Sequence, residues 1–321
     1  MEFIDKLNEF GRRREKILFA VSYDKSRSFV YPLDQLPDNI LFDFDGVYGN
    51  TNKVNLVKCA PVLLSRKPVS FDVYQKSFDQ VIQHIKQGDV YMLNLTFPTE
   101  VSTSSSLTEI FHSSSARYKF LLDDEFVCFS PEQFVKVKND RIMTFPIKGT
   151  IRADVCDAAN IILNDPKEKA EHTMVVDLLR NDLGIIGEDV RVDRFRFIDK
   201  IPAGQSELLQ VTSEISASLP SDWRSRLGDL IFAMLPAGSI SGTPKSSALK
   251  VIDEVELDNR GYFCGIAGVF DGENLDSCVL IRFIEKRDGK LIYRSGGGIT
   301  VDSNPSSEYL EILDKVYVPV F

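Results

Sequence analysis

No run of about 18 apolar residues occurs in this chain of 321 residues, so a membrane-spanning helix is not expected. Histidine is scarce, with 3 in all, and the cysteines Cys59, Cys128, Cys156, Cys264 and Cys278 show no C-x-x-C spacing. A zinc site is therefore unexpected, and the odd thiol count suits a reducing compartment better than a disulfide framework. Basic charge is also short, at 38 Lys and Arg against 47 Asp and Glu, a net charge of -9. Neither nucleic acid nor an anionic membrane is then expected as the main partner, although a small anion can still bind where cations gather locally. The stretch "GRRREKILFAVSYDK" invites an export reading, but Ser22, Tyr23 and Asp24 interrupt its apolar run, and a cytoplasmic protein is expected. Repeats and low-complexity segments are missing, and "VSTSSSL" at Val101 to Leu107 reads as a mobile loop.

What is present is an ordinary globular composition, 43% hydrophobic and 26% charged, enough for one large domain or two. Helical periodicity covers Glu2 to Arg14, strands are expected at Ile17 to Tyr23 and Ile40 to Phe44, and "DGVYGNTN" reads as a turn. These make a short N-terminal unit over residues 1–70, followed by a catalytic region over 71–321. In "FDVYQKSFDQVIQHIKQGD", Val73, Phe78, Val81, Ile82 and Ile85 are expected on one helical face, with Gly88 ending the helix. Later strands include "YMLNLTF", "FVCFS", "RIMTFPI", "CGIAGVF", "SCVLIRFIEKR" and "KLIYRSGGGI". Tight turns at Asp271-Gly272 and Asp288-Gly289 favour antiparallel hairpins, hence an α+β fold.

Two kinds of acidic motif compete for the chemistry. In "ILFDFDGVYGN", Asp43 and Asp45 have the D-x-D-G form of a haloacid-dehalogenase-type phosphatase, with Asp43 as nucleophile. That reading needs a parallel sheet and downstream partner motifs, and the hairpin content opposes it. The other motif is a pair of acidic helices. In "NDPKEKAEHTMVVDLLRNDLG", Asp165 can cap, Pro166 fits the first position, Glu168 completes a D-x-x-E capping box and Gly184 can supply a left-handed stop. Glu168, Glu171, Val175 and Leu178 follow one stripe from acid to apolar. In "DSNPSSEYLEILDKV", Asn304 or Ser303 caps, and Glu308, Glu311 and Lys315 share a stripe beside a "GGGI" loop. Oxygen donors without histidine or thiolate suit Mg²⁺, although an E-x-x-E pair on a helix is commonly just a solvated face.

The motifs "GDVYMLNLTFP", "SPEQF", "PIKGTIR", "DPKEKAEHTMVVDLLRNDLG", "PAGSISGTPK", "CGIAGVF", "LIRF" and "SGGGITVDSNPSSEYLEILDKV" come in the order of the chorismate-utilising enzymes, which the chain resembles from about residue 71 onward. The resemblance implies a sandwich of large antiparallel sheets with helices outside. It implies that Glu171 and Glu311 ligate Mg²⁺, with Glu168 and Glu308 assisting through water. Arg282, Lys315, Thr150, Ser239 and the backbone at Gly297 and Gly298 would bind substrate, and Glu132 would be the general acid that helps a ring hydroxyl leave.

Lys148 in "PIKGT" points to one branch of the family, component I of aminodeoxychorismate synthase, where a lysine at this place acts as nucleophile on chorismate before ammonia displaces it. A free lysine is almost wholly protonated near neutral pH, so such a site must favour the neutral amine. Met92 stands where the isochorismate-forming branch is expected to carry a water-activating lysine, and Gln210 where anthranilate synthases carry a histidine. Phe263 replaces a usual Tyr or Trp. Ammonia is expected from a separate glutamine amidotransferase subunit, since Cys264 in "YFCGI" reads as a strand residue. Anthranilate synthase component I is the alternative within the family. The short portion before residue 71 implies that no tryptophan feedback operates.

Overall fold

Strands such as Ile17–Val21 and Ile266–Phe270 are buried at every position, so they need cover on both faces. Among the described residues, two stacked sheets of nine strands each supply it. The computed structural model describes residues 2–51, 62–203 and 206–319; Asn52 and Cys59 lie outside them. Every strand pairing among the described residues is antiparallel.

The first sheet runs from Ile147–Arg152 through Ser206–Ser218, Arg141–Thr144, Gln133–Lys138, Leu275–Val279, Ile266–Phe270 and Ile17–Val21 to Ser28–Pro32. The second runs from Gly242–Thr243 through Met92–Ser102, Lys290–Ile299, Phe283–Arg287, Phe126–Ser130, Tyr118–Leu122 and Ile40–Phe44 to Tyr48–Gly49. One buried cluster joins Phe19, Ala267 and Val269 of the first sheet to Phe42, Phe120, Phe126 and Phe283 of the second, so the main core lies between the sheets. Gly268 serves that packing, because a Cβ there would fall 2.4 Å from the Phe19 ring. Helices Phe71–Gln87, Lys245–Val255 and Pro305–Asp314 share a further core on the outer side of the second sheet. The fold is the expected α+β sandwich.

Several local expectations are corrected. The described part of the N-terminal unit is not set apart: Ile17–Val21 lies against Ile266–Phe270 in the first sheet, and Ile40–Phe44 against Tyr118–Leu122 in the second. "SCVLIRFIEKR" is not one strand, because Leu275–Val279 belongs to the first sheet and Phe283–Arg287 to the second. "VSTSSSL" ends in an ordered cap, with Ser106 and Glu109 forming a reciprocal capping box for the helix Leu107–Ser113. "GGGI" is the end of the strand Lys290–Ile299, not a loop.

In the helix Phe71–Gln87, the buried stripe is Tyr74, Phe78 and Val81 at steps of four and three, and Val73, five residues from Phe78, falls off it at 40% exposure. Gly88 ends that helix in the left-handed conformation, as expected. The helix Pro166–Ile186 instead passes through Gly184 and stops at Gly187. Glycine is needed there because a Cβ would fall 2.9 Å from Ala217 Cβ. Asp43 belongs to a tight turn, accepting the Gly46 N–H at 3.0 Å, and Asp45 pairs with Arg117 at 3.4 Å. An antiparallel strand bordered by Tyr48–Gly49 is not the parallel sheet that a phosphatase would use.

A buried ion pair ties the first acidic helix to the segment that carries Ser239. Lys245 Nζ donates to Asp182 Oδ1 at 2.6 Å and to the Met234 carbonyl at 3.0 Å, and Asp182 is buried. Lys245→Met would strand that carboxylate. We expect a loss of about 3 kcal/mol of unfolding free energy, read from urea denaturation, with part of it restored when Asp182→Asn is added.

Candidate active site

Two adjacent crossings between the sheets open the site. Ser130, Pro131 and Glu132 lead from the strand Phe126–Ser130 in the second sheet to Gln133–Lys138 in the first. Leu280, Ile281 and Arg282 lead from the first sheet back to the second, and Arg282 takes a left-handed backbone, φ 53°, at the switch. The crossings hold each other: Val279 N–H donates to the Glu132 carbonyl at 3.1 Å, and Phe129 N–H to the Arg282 carbonyl at 3.0 Å. Residues 150 apart in sequence thereby share one end of the sandwich.

A cavity of about 570 Å³ lies there, lined by Glu132, Lys148, Thr150, Glu168, Glu171, Ser239, Arg282, Gly297, Gly298, Glu308, Glu311 and Lys315. The residues that the resemblance assigned to catalysis, substrate and metal are all brought together, whereas Asp43 and Asp45 lie outside the cavity. Gln210 and Phe263 also line it, and Gln210 is the cross-strand partner of Thr150.

Lys148 is aimed by a β-bulge. Between Ile147 and Thr150 the strand gains one residue over its partner, which goes only from Thr212 to Gln210, and Gly149 absorbs the kink at φ 83°. The Lys148 ammonium lies 3.4 Å from Glu171 Oε2 and 3.3 Å from where a Cβ on Gly298 would stand. Met92 Sδ is 3.7 Å from the same point, so a thioether, not a base, flanks the lysine.

Glu132 accepts a hydrogen bond from Ser239 Oγ. Burial pushes its carboxyl above the usual range, against the pull of that bond and of Lys148 and Lys315. Such a group stays protonated to higher pH than an ordinary carboxyl, as a proton donor requires.

The two acidic helices face each other across the cavity. Asp165 caps the first, accepting Glu168 N–H at 2.9 Å, but only this half of the capping box forms, since the Glu168 carboxylate lies beside Gly149 at the cavity. Burial, then neighbouring Glu171, raises the Glu168 carboxyl above its usual range. Asn304 caps the second helix through the N–H groups of Ser306 and Ser307. Burial works to raise Glu311, but Lys315, in contact at 2.7 Å, holds it below the usual range. Glu171 and Glu308 are both buried. His172 turns away to Ser213 Oγ at 2.6 Å, and burial, then Arg196 and Lys148, lowers it to about 4, so it is neutral at pH 7.

Arg282 Nη1 donates to the Lys315 carbonyl at 3.0 Å, and its guanidinium lies over the Tyr317 ring, leaving donors toward the cavity. Two lining cations were not singled out from the sequence. Lys167 stands four residues before Glu171, a spacing that marks a possible pair. Arg294, buried and bonded to Asp258 at 2.7 Å, precedes the glycines of "SGGG" and carried no signal beyond that position. Among the described residues the lining thus sets five carboxyl groups against five cations, Lys148, Lys167, Arg282, Arg294 and Lys315, so an anion and a cation can enter together without a large charge imbalance.

Among the described residues no group of three or more His, Cys, Asp or Glu side chains is gathered closely enough to ligate a metal. Ammonium groups stand between the acids instead: Lys167 Nζ is 3.8 Å from Glu171 Oε1 and 3.5 Å from Glu308 Oε1. One cation already reaches carboxylates on both helices, and the donors are all hard oxygens, which fits Mg²⁺. Cys264 is not the strand residue expected: it lies in the turn before the strand Ile266–Phe270 with a left-handed backbone, φ 64°, and burial pushes its thiol up to about 12. No helix among the described residues is long and apolar enough to cross a membrane.

A family model described as chorismate binding enzyme matches residues 47–320. An uncharacterized PabA-like protein of Haemophilus influenzae is 42% identical over 319 residues, 99% of this chain and 96% of that one. Aminodeoxychorismate synthase component 1 of Klebsiella aerogenes is 34% identical over 267 residues, 78% of this chain and 58% of the longer relative. The solved structure of the menaquinone-specific isochorismate synthase MenF of Escherichia coli superposes with a TM-score of 0.72, covering 98% of this chain and 79% of that one at 16% identity, a likeness of fold.

Proposed function

Because the chain belongs to the chorismate-binding enzyme family, we propose that it is the synthase component that converts chorismate and ammonia to 4-amino-4-deoxychorismate, on the route to para-aminobenzoate and folate. The observation that carries this reading is Lys148, aimed by its bulge into the cavity beside Gly298, with Met92 in place of a water-activating base.

In this reading Lys148 adds through Nζ to the chorismate ring as the C–O bond to the ring hydroxyl breaks. Glu132 gives its proton to that oxygen, which leaves as water, because hydroxide is a poor leaving group. Ammonia then attacks the ring and displaces Lys148, so the product carries an amine where the hydroxyl was and keeps its enolpyruvyl group. Arg282, Lys315 and the backbone near Gly297 hold the enolpyruvyl carboxylate, and Thr150 and Ser239 contact the substrate.

Glu171 and Glu311 would hold Mg²⁺, with Glu168 and Glu308 acting through water. When bound, the ion neutralises the ring carboxylate and fixes the ring. Ammonia would come from a glutamine amidotransferase subunit.

The test is chromatography with mass detection on the protein given chorismate, Mg²⁺ and ammonium salt. We expect aminodeoxychorismate. Anthranilate would support the rival synthase, which Lys148 and Gln210 disfavour, and isochorismate would mean that water attacks instead.

A further inference from the structure

Lys167 is hard to explain by the helix that carries it. It sits in the first turn of Pro166–Ile186, where the helix dipole disfavours a cation, and it precedes Glu171 by four residues, the weaker order for a helical ion pair. Its side chain is half exposed, yet the ammonium turns inward, 3.8 Å from Glu171 Oε1 and 3.5 Å from Glu308 Oε1 on the opposite helix. The neighbouring lysines behave differently. Lys315 pairs with Glu311 of its own helix at 2.7 Å, and Lys148 reaches Glu171 alone. Among the described residues, Lys167 is the lysine whose ammonium spans both acidic helices.

The acids explain that placement. Glu168, Glu171, Glu308 and Glu311 line one cavity, and without a cation between them the two helices would repel each other. We propose that Lys167 is a tethered counter-ion of this site: it holds the two helices together when no divalent cation is bound, and a divalent cation must displace it from Glu171 and Glu308 to bind. Lys167 therefore stabilises the metal-free protein and weakens its affinity for the metal. It sets the concentration at which the site fills. The inference rests on the reading that these carboxylates take Mg²⁺.

The experiment is Mg²⁺ titration of the chelator-treated full chain by calorimetry, together with its melting temperature with and without Mg²⁺, for the wild type, Lys167→Met and Lys169→Met. Lys169 is exposed on the same turn and forms no ion pair among the described residues, so it controls for net charge. For Lys167→Met we expect Mg²⁺ to bind roughly three- to tenfold more tightly, an effect that shrinks with added salt. Its melting temperature should be lower than wild type without Mg²⁺ and should rise more when the ion is added. Lys169→Met should match the wild type in both. Unchanged or weaker Mg²⁺ binding by Lys167→Met, while the wild type binds, overturns the tethered counter-ion and leaves the metal reading standing. A wild type that binds no Mg²⁺ overturns both.

Discussion

Lys148→Ala is expected to abolish aminodeoxychorismate formation, lowering turnover by about 10³-fold or more, roughly 4 kcal/mol of barrier. The cause would be loss of the amine that adds to the ring, not loss of the fold. The Lys148–Glu171 contact, at 3.4 Å with a partly exposed lysine, is worth about 1 kcal/mol or less, and Lys167 still faces Glu171 after the change. Lys148→Arg separates the roles. Arginine keeps a cation near Glu171 but stays protonated and cannot act as the nucleophile. If the arginine variant forms product at a rate near the wild type, Lys148 is an electrostatic residue and the covalent step is wrong. If both variants bind chorismate and neither aminates it, the nucleophile reading stands.

Glu132→Gln is expected to lower turnover by about 10² to 10⁴-fold with little change in substrate affinity, since glutamine fills the same space and can still bond to Ser239 but has no proton to give. Stability should move the other way. Burial raises the Glu132 carboxyl in the folded protein above its value of 4.5 in an unfolded chain. A raised carboxyl contributes stability that is fully present below pH 4.5 and is lost as pH rises through the folded value. Glutamine removes that loss, so the variant should melt at least as high as the wild type at pH 8, with a smaller advantage at pH 5. In the wild type, the first half-reaction, loss of the ring hydroxyl measured without ammonia, should slow relative to its maximum as Glu132 loses its proton. A glutamine variant of wild-type activity at a fixed concentration of free ammonia would sink the general-acid assignment.

Much of this was open to a reader of the chain. Period and punctuation marked the helices that carry the acids, because Asp165, Pro166, Asn304 and Pro305 act on their own next few residues. The glycine turns at Asp271-Gly272 and Asp288-Gly289 announced antiparallel hairpins for the same reason, and the strands they join do pair as neighbours. The residues that line the cavity were legible as a set through their resemblance to the chorismate-utilising enzymes; local spacing alone does not single out Glu132 or Lys148.

Other features depend on partners distant in sequence, and no local pattern holds them. The apolar run "SCVLIRFIEKR" looks like a single strand, since apolar continuity does not say which sheet receives each half, and the break at Arg282 exists because two stacked sheets must be bridged. That bridging brings Arg282 and Glu132 to one cavity. The first acidic helix runs past Gly184 and stops at Gly187, where Ala217 of a neighbouring strand leaves no room for a side chain. Lys167 reads locally as one more surface lysine, and only the approach of Glu308 from another helix turns its ammonium into the cavity. Elements and their ends follow from interactions within a few residues, which the order of amino acids states directly; the chemistry of the cavity follows from charges and backbones that meet only when the two sheets close.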